Sequence, residues 1–163
     1  MTPQQARIIG DYLIADLEHE IPTTVRVIEA VPGDRHDYQP DPKSFTGLGL
    51  VRHLVGVDAW FLNSIADGAF GTEPGGGEIA TPAEGAATYT KTVNAALGRV
   101  KAMSDDQLAA DVDFFGRMMV PAAQLIGIMT KHSIHHRGQL SAYLRSMGGK
   151  VPGIYGPSGD SEG

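Results

Sequence analysis

Apolar residues recur at steps of three and four in four long stretches of the chain, the spacing that gives a helix one buried face. The stretches run from residue 2 to about 31, from about 44 to 67, from 81 to about 103, and from 121 to 147. Two of them begin with Thr2-Pro3 and Thr81-Pro82, and threonine caps a helix while proline fits its first turn. The pattern therefore predicts four amphipathic helices.

The sequence also predicts how three of these helices begin or continue. Glu84 stands three residues after Thr81, which is the spacing of a capping box. Either Ser44 or Thr46 is expected to cap the second helix. Pro22 falls inside the first helix, and because the apolar stripe keeps its phase on both sides, we expect a kink there and not a break.

The segment from residue 105 to residue 120 departs from the helical pattern. It opens with DDQL, which favours one helical turn, and continues with VDFFGRMMV, which favours an extended chain. A lone strand is not stable without a partner, so we expect a connection that crosses to the last helix. Four helices with this long connection between the third and the fourth predict an all-α four-helix bundle.

Composition fits a single domain. The chain has 163 residues, of which 42% are hydrophobic and 20% charged, enough for one sizeable core. We expect this domain to span residues 1–157 and residues 158–163 to form a frayed tail. Ile154 and Tyr155 are candidates to hold the chain down just before that tail.

Charge and cysteine content narrow the possible functions. The formal net charge is −6 and the basic residues do not cluster, so nucleic-acid binding is not expected. The chain has no cysteine, so a metal could be held only by imidazole or oxygen ligands. No apolar run reaches the roughly 20 residues of a membrane span, and the N-terminus does not have the pattern of a secretory signal. A cytoplasmic protein without membrane contact is therefore expected.

Histidines stand out on the second and fourth predicted helices. His132 and His136 lie four residues apart on the apolar stripe of the fourth helix, where two imidazoles can reach one metal ion. His135 could replace one of them, from the flank of the stripe. His53 lies on the apolar stripe of the second helix and would complete the three-ligand set of catalytic zinc sites. The alternative is that these histidines only form hydrogen bonds in a core.

A family likeness is carried by LVRHLVGVDAWF in the second helix and by HSIHHRGQLSAYLRSMGGKVPGIYGPSGD in the fourth helix and beyond. These strings resemble the DinB/YfiT-like superfamily, and the likeness extends over almost the whole chain. The resemblance implies a four-helix bundle, often dimeric, with one histidine of the second helix and two of the fourth binding a divalent metal. Matched residue by residue, these ligands are His53, His132 and His136.

The resemblance does not imply one reaction. Members of the superfamily include thiol S-transferases that use low-molecular-weight thiols, a mycothiol-dependent isomerase, proposed hydrolases and proteins without an assigned activity. Three imidazoles would leave one position open on a Zn²⁺ or Ni²⁺ ion, where water or a thiol can be activated. We therefore expect a metal-dependent enzyme of the thiol S-transferase or hydrolase type. It would act on a small molecule, with a low-molecular-weight thiol as candidate co-substrate.

Three further side chains are candidates for catalysis. Asp58 and His135 could act in proton transfer, and Arg137 could hold a carboxylate of the substrate or the thiol. Each residue also has an alternative without catalysis: Asp58 as a surface acid, His135 as a solvent-facing neighbour of the site, and Arg137 in a surface salt bridge. The alternative function is a non-catalytic stress-response protein that binds a metal or a small ligand. A homodimer is expected from the resemblance in either case.

Overall fold

The computed structural model of the chain describes residues 1–73 and 77–161, and it has the expected bundle of four long helices. The elements in chain order are α1 (Pro3–Glu29), α2 (Gly47–Asp67), α3 (Pro82–Lys101), α4 (Asp105–Ala109), β1 (Asp111–Phe114), β2 (Met118–Pro121) and α5 (Ala122–Leu144). A 3₁₀ turn, Arg145–Met147, continues α5. The expected connection between the third and fourth long helices therefore holds a short helix and a hairpin.

The helix starts follow the capping chemistry of the sequence. Thr2 and Thr46 accept backbone hydrogen bonds from residues three positions on, at 3.2 and 2.9 Å. Thr81 does the same for α3, but the Glu84 carboxylate accepts from the N–H of Ala80 at 2.9 Å and not from that of Thr81. The capping box predicted there is therefore only half formed. Pro22 lies within α1 and does not end it.

The connection before α5 differs from the predicted single crossing segment. Residues 111–114 pair with residues 118–121 as an antiparallel hairpin, so the extended chain supplies its own partner. The turn needs positive φ at Phe115 (59°) and Gly116 (67°). Glycine suits this conformation and phenylalanine adopts it rarely, so Phe115 concealed the turn from sequence reasoning.

One apolar core joins the long helices, with α1 packed mainly on α5 and α2 on α3. Gly85 permits the close approach of α3 to α2, because a Cβ atom there would lie 2.3 Å from the Val51 side chain. In residues 1–73 and 77–161, none of the helices combines the length with the apolar character that a membrane span requires.

The buried face of α5 is partly polar. Thr130, Ser133 and Arg137 lie at its centre, between apolar residues of the core. His132 and His136 lie beside this polar row and are half-buried, although the sequence pattern placed them on the apolar stripe itself. At this edge of the buried face, the two imidazoles contact both the core and solvent.

Arg137 is the largest side chain that the bundle buries fully, with 1% of its surface exposed. Its guanidinium forms an ion pair with Glu20 of α1 and donates a hydrogen bond of 2.7 Å to the Tyr155 hydroxyl. That hydroxyl donates to Glu20 at 2.9 Å. A buried ion pair therefore joins α1 to α5 and holds the chain after α5 through Tyr155, as the sequence suggested for that residue.

The chain beyond residue 157 also differs from the expected frayed tail as far as residue 161. Asp160 accepts hydrogen bonds from Arg145 at 2.9 Å and from the N–H of Val151 at 3.0 Å. The Ser158 hydroxyl donates to the carbonyl of Val151 at 2.5 Å. These contacts return the segment to the end of α5. Residues 162–163 lie outside the described part.

Replacing Arg137 by methionine is expected to lower the free energy of unfolding by about 3 to 5 kcal/mol, because Glu20 would stay buried without its cation. The matched control is Lys101→Met, which breaks the exposed pair of Lys101 with Glu18 (2.7 Å; 49% and 44% exposed) and should cost at most about 1 kcal/mol. Urea unfolding monitored by circular dichroism measures both. Equal losses in the two variants would contradict this role for Arg137.

Candidate metal centre

Three imidazoles from two helices meet at one point. The Nε2 atom of His53 in α2 lies 3.1 Å from Nε2 of His132 and 3.1 Å from Nε2 of His136, both in α5. One turn of helix separates His132 from His136, which places both rings on the side of α5 that faces α2. These are the three histidines that the sequence selected, and the structure brings them within reach of one ion.

Hydrogen bonds on the far side of two rings determine which nitrogen carries the proton. His132 Nδ1 lies 3.0 Å from a carboxylate oxygen of Asp58, and His136 Nδ1 lies 2.8 Å from the side-chain oxygen of Gln139. Both partners are acceptors, so each Nδ1 is the protonated nitrogen in the neutral ring. The Nε2 lone pairs of His132 and His136 therefore point at the shared centre.

This donor set fits a small divalent cation. Even when Nε2 of His53 carries a proton, its single N–H can point directly at only one of the two neighbouring lone pairs, and the other remains unsatisfied. In tetrahedral coordination with metal–nitrogen distances near 2.05 Å, neighbouring nitrogens lie about 3.3 Å apart. The observed separations are close to that value. Three imidazoles without a carboxylate or thiolate suit Zn²⁺ and Ni²⁺ better than Mg²⁺ or Ca²⁺.

The surroundings of His53 and His136 favour the neutral imidazole. Burial lowers the pKa of His136 to about 4; the hydrogen bond that the ring donates to Gln139 opposes this shift, and the neighbouring histidines reinforce it. Burial, with His132 nearby, also lowers the pKa of His53. An imidazole must lose its second proton before it can bind a metal. At neutral pH these two rings meet that requirement without releasing a proton.

Asp58 is anchored below the site by a buried network. Its side chain is fully buried, and its second carboxylate oxygen accepts a 2.8 Å hydrogen bond from the Tyr89 hydroxyl of α3. The Tyr89 hydroxyl lies 3.1 Å from the hydroxyl of Ser133. Burial raises the pKa of Tyr89 well above its usual value, so the phenol stays a donor. The network fixes the carboxylate that orients His132, as in the carboxylate–histidine arrangement of metal proteins.

The mouth of the site is open and partly aromatic. The side chain of His132 is 22% exposed, and all three histidines are half-buried. Phe45, just before α2, stacks on the His53 ring with centroids 5.1 Å apart and remains about half exposed. Partial exposure of all three imidazoles leaves solvent access on one side, as in sites that keep one coordination position for a small molecule.

The other candidate residues have separate positions. His135 is exposed at the rim, with its ring 4.8 Å from the ring of His136. Arg137 faces α1, where the ion pair with Glu20 occupies its guanidinium. Asp58 is a fully buried residue and not the surface acid considered as its alternative.

Sequence reasoning missed Gln139, Tyr89 and Phe45. Gln139 follows His136 by three residues, a helical spacing that could have revealed it. Tyr89 lies on the buried face of α3, and its hydroxyl has no sequence signal of its own. Phe45 lies before α2, so only the tertiary structure shows that it reaches His53.

Comparison with known families gives one consistent result. The model of the DinB family matches residues 12–161 of this chain. YrdA of Bacillus subtilis, described as an uncharacterized protein, is 26% identical over 150 residues, which cover 91% of this chain and 89% of YrdA. YjoA of the same organism, also described as uncharacterized, is 31% identical over 130 residues, which cover 77% of this chain and 82% of YjoA.

Two crystal structures of DinB-like proteins share the fold. The structure of YjoA superposes with a TM-score of 0.71 at 25% identity, covering 90% of this chain and 98% of YjoA. A DinB-like protein from Bacillus cereus superposes with a TM-score of 0.76 at 23% identity, covering 88% and 95% of the two chains. The similarity of fold therefore extends over nearly the full length of both relatives.

Asp58→Ala is expected to weaken Zn²⁺ binding by about 10- to 100-fold while leaving the three ligands in place, because the orientation and tautomer of His132 would be lost. Calorimetric titration measures the affinity, and ¹⁵N shifts of the imidazoles in the metal-free protein report the tautomer. The control is Tyr89→Phe, which removes one hydrogen bond to Asp58 but keeps its contact with His132. An unchanged His132 tautomer in Asp58→Ala would refute this orienting role.

Proposed function

The chain belongs to the DinB family, and from that premise we propose that it binds one divalent metal ion, Zn²⁺ or Ni²⁺, through His53, His132 and His136. The observation that supports the proposal most strongly is the convergence of three Nε2 atoms, two of them with the opposite ring nitrogen held as a donor. A cluster formed only by hydrogen bonds would not need every ring to turn its Nε2 inward.

The proposed activity is that of a metal-dependent enzyme acting on a low-molecular-weight thiol or on water, of the thiol S-transferase or hydrolase type. A bound dication supplies the means to lower the pKa of such a nucleophile towards neutrality. The protein supplies an open side, an aromatic wall at Phe45, and a buried anchor at Asp58 that keeps His132 in position.

The candidate catalytic residues contribute unequally to this proposal. Asp58 accepts hydrogen bonds from both His132 and Tyr89, so we assign it to positioning the ligand. Arg137 is assigned to the α1–α5 ion pair. His135 lies at the exposed rim, next to His136, and is the candidate best placed to exchange a proton between the site and solvent.

The second candidate function is a non-catalytic protein that binds a metal or a small ligand. The contacts of Asp58 favour this second function. Its carboxylate already accepts hydrogen bonds from His132 and Tyr89 and is buried from solvent, so it is not free to act as a general base. The coordination of a bound ion separates the two functions. An enzyme keeps a position that a small molecule can exchange, and a storage or structural site fills its shell.

A homodimer and a cytoplasmic location remain predictions. The exposed side chains of Ile8 and Tyr12 lie one turn apart on α1 and offer an apolar surface for a second copy. Sedimentation equilibrium at micromolar concentration gives the mass in solution. A monomer with metal bound would oppose the dimer and leave the metal site unaffected.

Alanine variants at the histidines test the ligand set. His53→Ala, His132→Ala and His136→Ala should each reduce Zn²⁺ affinity by about 1,000-fold or more, because two ligands remain where three are needed. His135→Ala is the matched control, with a loss of at most about 10- to 100-fold. Calorimetric titration with Zn²⁺ and Ni²⁺ measures all four, and circular dichroism confirms that each variant is folded. A severe loss in His135→Ala with none in His136→Ala would contradict the assignment.

Turnover tests the enzymatic proposal. Purified protein loaded with Zn²⁺ or Ni²⁺ should consume a small electrophile in the presence of a low-molecular-weight thiol, or hydrolyse an activated ester or amide. The rate should fall by about 100-fold or more in His53→Ala, by analogy with the loss of other catalytic groups. Metal binding without turnover in any pairing of thiol and electrophile would favour the non-catalytic function.

A further inference from the structure

A second concave surface lies between α2 and α3, away from the α2–α5 contact that holds the histidines. It is a groove of about 560 Å³, and residues 77–79 line it together with the two helices. Its volume is within the range of roughly 300 to 1,000 Å³ found for small-molecule sites. None of His53, His132 and His136 is among the residues that line the groove.

The groove has an apolar floor and one aromatic wall. Val55, Ala59 and Ile79 are buried side chains that line it. Trp60 is half-buried and contributes the wall. The indole stacks on Phe115, with centroids 6.0 Å apart, and meets the edge of Phe70 at 5.4 Å. These contacts hold the indole in place, so little side-chain entropy would be lost when a ligand binds to it.

The charges at the groove are acidic. Glu78 and Glu84 line it and are exposed, and Glu84 is held by its bond from the Ala80 N–H. Two arginines contact residues of the groove but do not line it. Arg52 donates to the carbonyl of Ile79, while Arg99 donates to the side-chain oxygen of Asn63 and pairs with Asp67. A ligand in the groove therefore meets two carboxylates, which attract a cation, and the Trp60 side chain, which offers an apolar surface.

We propose that this groove binds an amphipathic organic cation, a hydrocarbon or aromatic body with an amine or quaternary ammonium group. The body would lie on Val55, Ala59 and Trp60, and the cationic group would lie between Glu78 and Glu84. The proposal does not depend on the metal centre.

Trp60 provides a direct readout, because it is the only tryptophan of the chain. Three probes of equal chain length and different charge are titrated: octyltrimethylammonium, 1-octanol and octanoate. The cation should change the Trp60 fluorescence with an affinity at least about tenfold higher than that of octanoate, and octanol should fall between them. Equal affinities for the three probes, or no change in fluorescence and no heat of binding, would overturn the proposal.

Charge variants separate the groove from the general field of an acidic protein. Glu78→Gln with Glu84→Gln should weaken octyltrimethylammonium about threefold or more and leave octanol unchanged. The control, Asp34→Asn with Asp106→Asn, removes the same charge from exposed positions that do not line the groove, and should change the cation affinity less than twofold. Equal losses in the two double variants would refute recognition of the cation by the groove.

A filled groove should bind none of the probes. Thr88→Phe, from a half-buried position in the α3 wall, should weaken all three by about tenfold or more. Thr92→Phe is the second variant in case the first does not fold by circular dichroism. His53→Ala should bind octyltrimethylammonium as the unchanged protein does. Full binding in a folded, filled variant would overturn the proposal, whatever the outcome of the metal experiments.

Discussion

The convergence of three imidazole nitrogens depends on how α2 lies against α5. His53 must come within 3.1 Å of two rings on another helix, so a shift of one residue along either helix would separate the donors. Apolar packing alone tolerates small displacements, because many arrangements bury similar area. Directional hydrogen bonds do not tolerate such displacements. The helix α5 has a row of buried polar side chains, Thr130, Ser133 and Arg137, beside the histidines. The geometry of the site follows from the satisfaction of that row.

The buried polar row binds α5 to the rest of the bundle at two places. Ser133 reaches Tyr89 of α3, and through it Asp58 of α2, next to the three histidines. Arg137 reaches Glu20 of α1 and, through Tyr155, the chain that follows α5. A buried ion pair adds little net stability over apolar packing, but breaking it is costly, which penalises alternative registers of α1 on α5. The same helix thereby presents His132 and His136 towards α2 and is held in register on α1.

Membership of a family and similarity of fold do not choose a reaction here. The fold is shared with relatives described only as uncharacterized or DinB-like, and function is decided by the groups around a site. In this chain those groups are Phe45 at the mouth, His135 at the rim and the sealed Asp58. Other side chains form the α2–α3 groove, so the proposed metal site and the proposed cation site are built from separate residues.

Local chemistry in the sequence was sufficient for the four long helices, for the threonine caps and for the spacing of His132 and His136, because periodicity, capping and i,i+4 geometry involve neighbours along one helix. His53 was found because it falls on an apolar stripe and matches a family motif. The hairpin at residues 111–121 was not predicted, because a strand is recognised by its partner and the turn depends on a rare conformation of Phe115. Only the tertiary structure decided the surroundings of three side chains. It buried Asp58, it paired Arg137 with Glu20, and it brought the Tyr89 hydroxyl to the site. Those answers depend on contacts between residues 31 to 117 positions apart, and no local pattern encodes such partners.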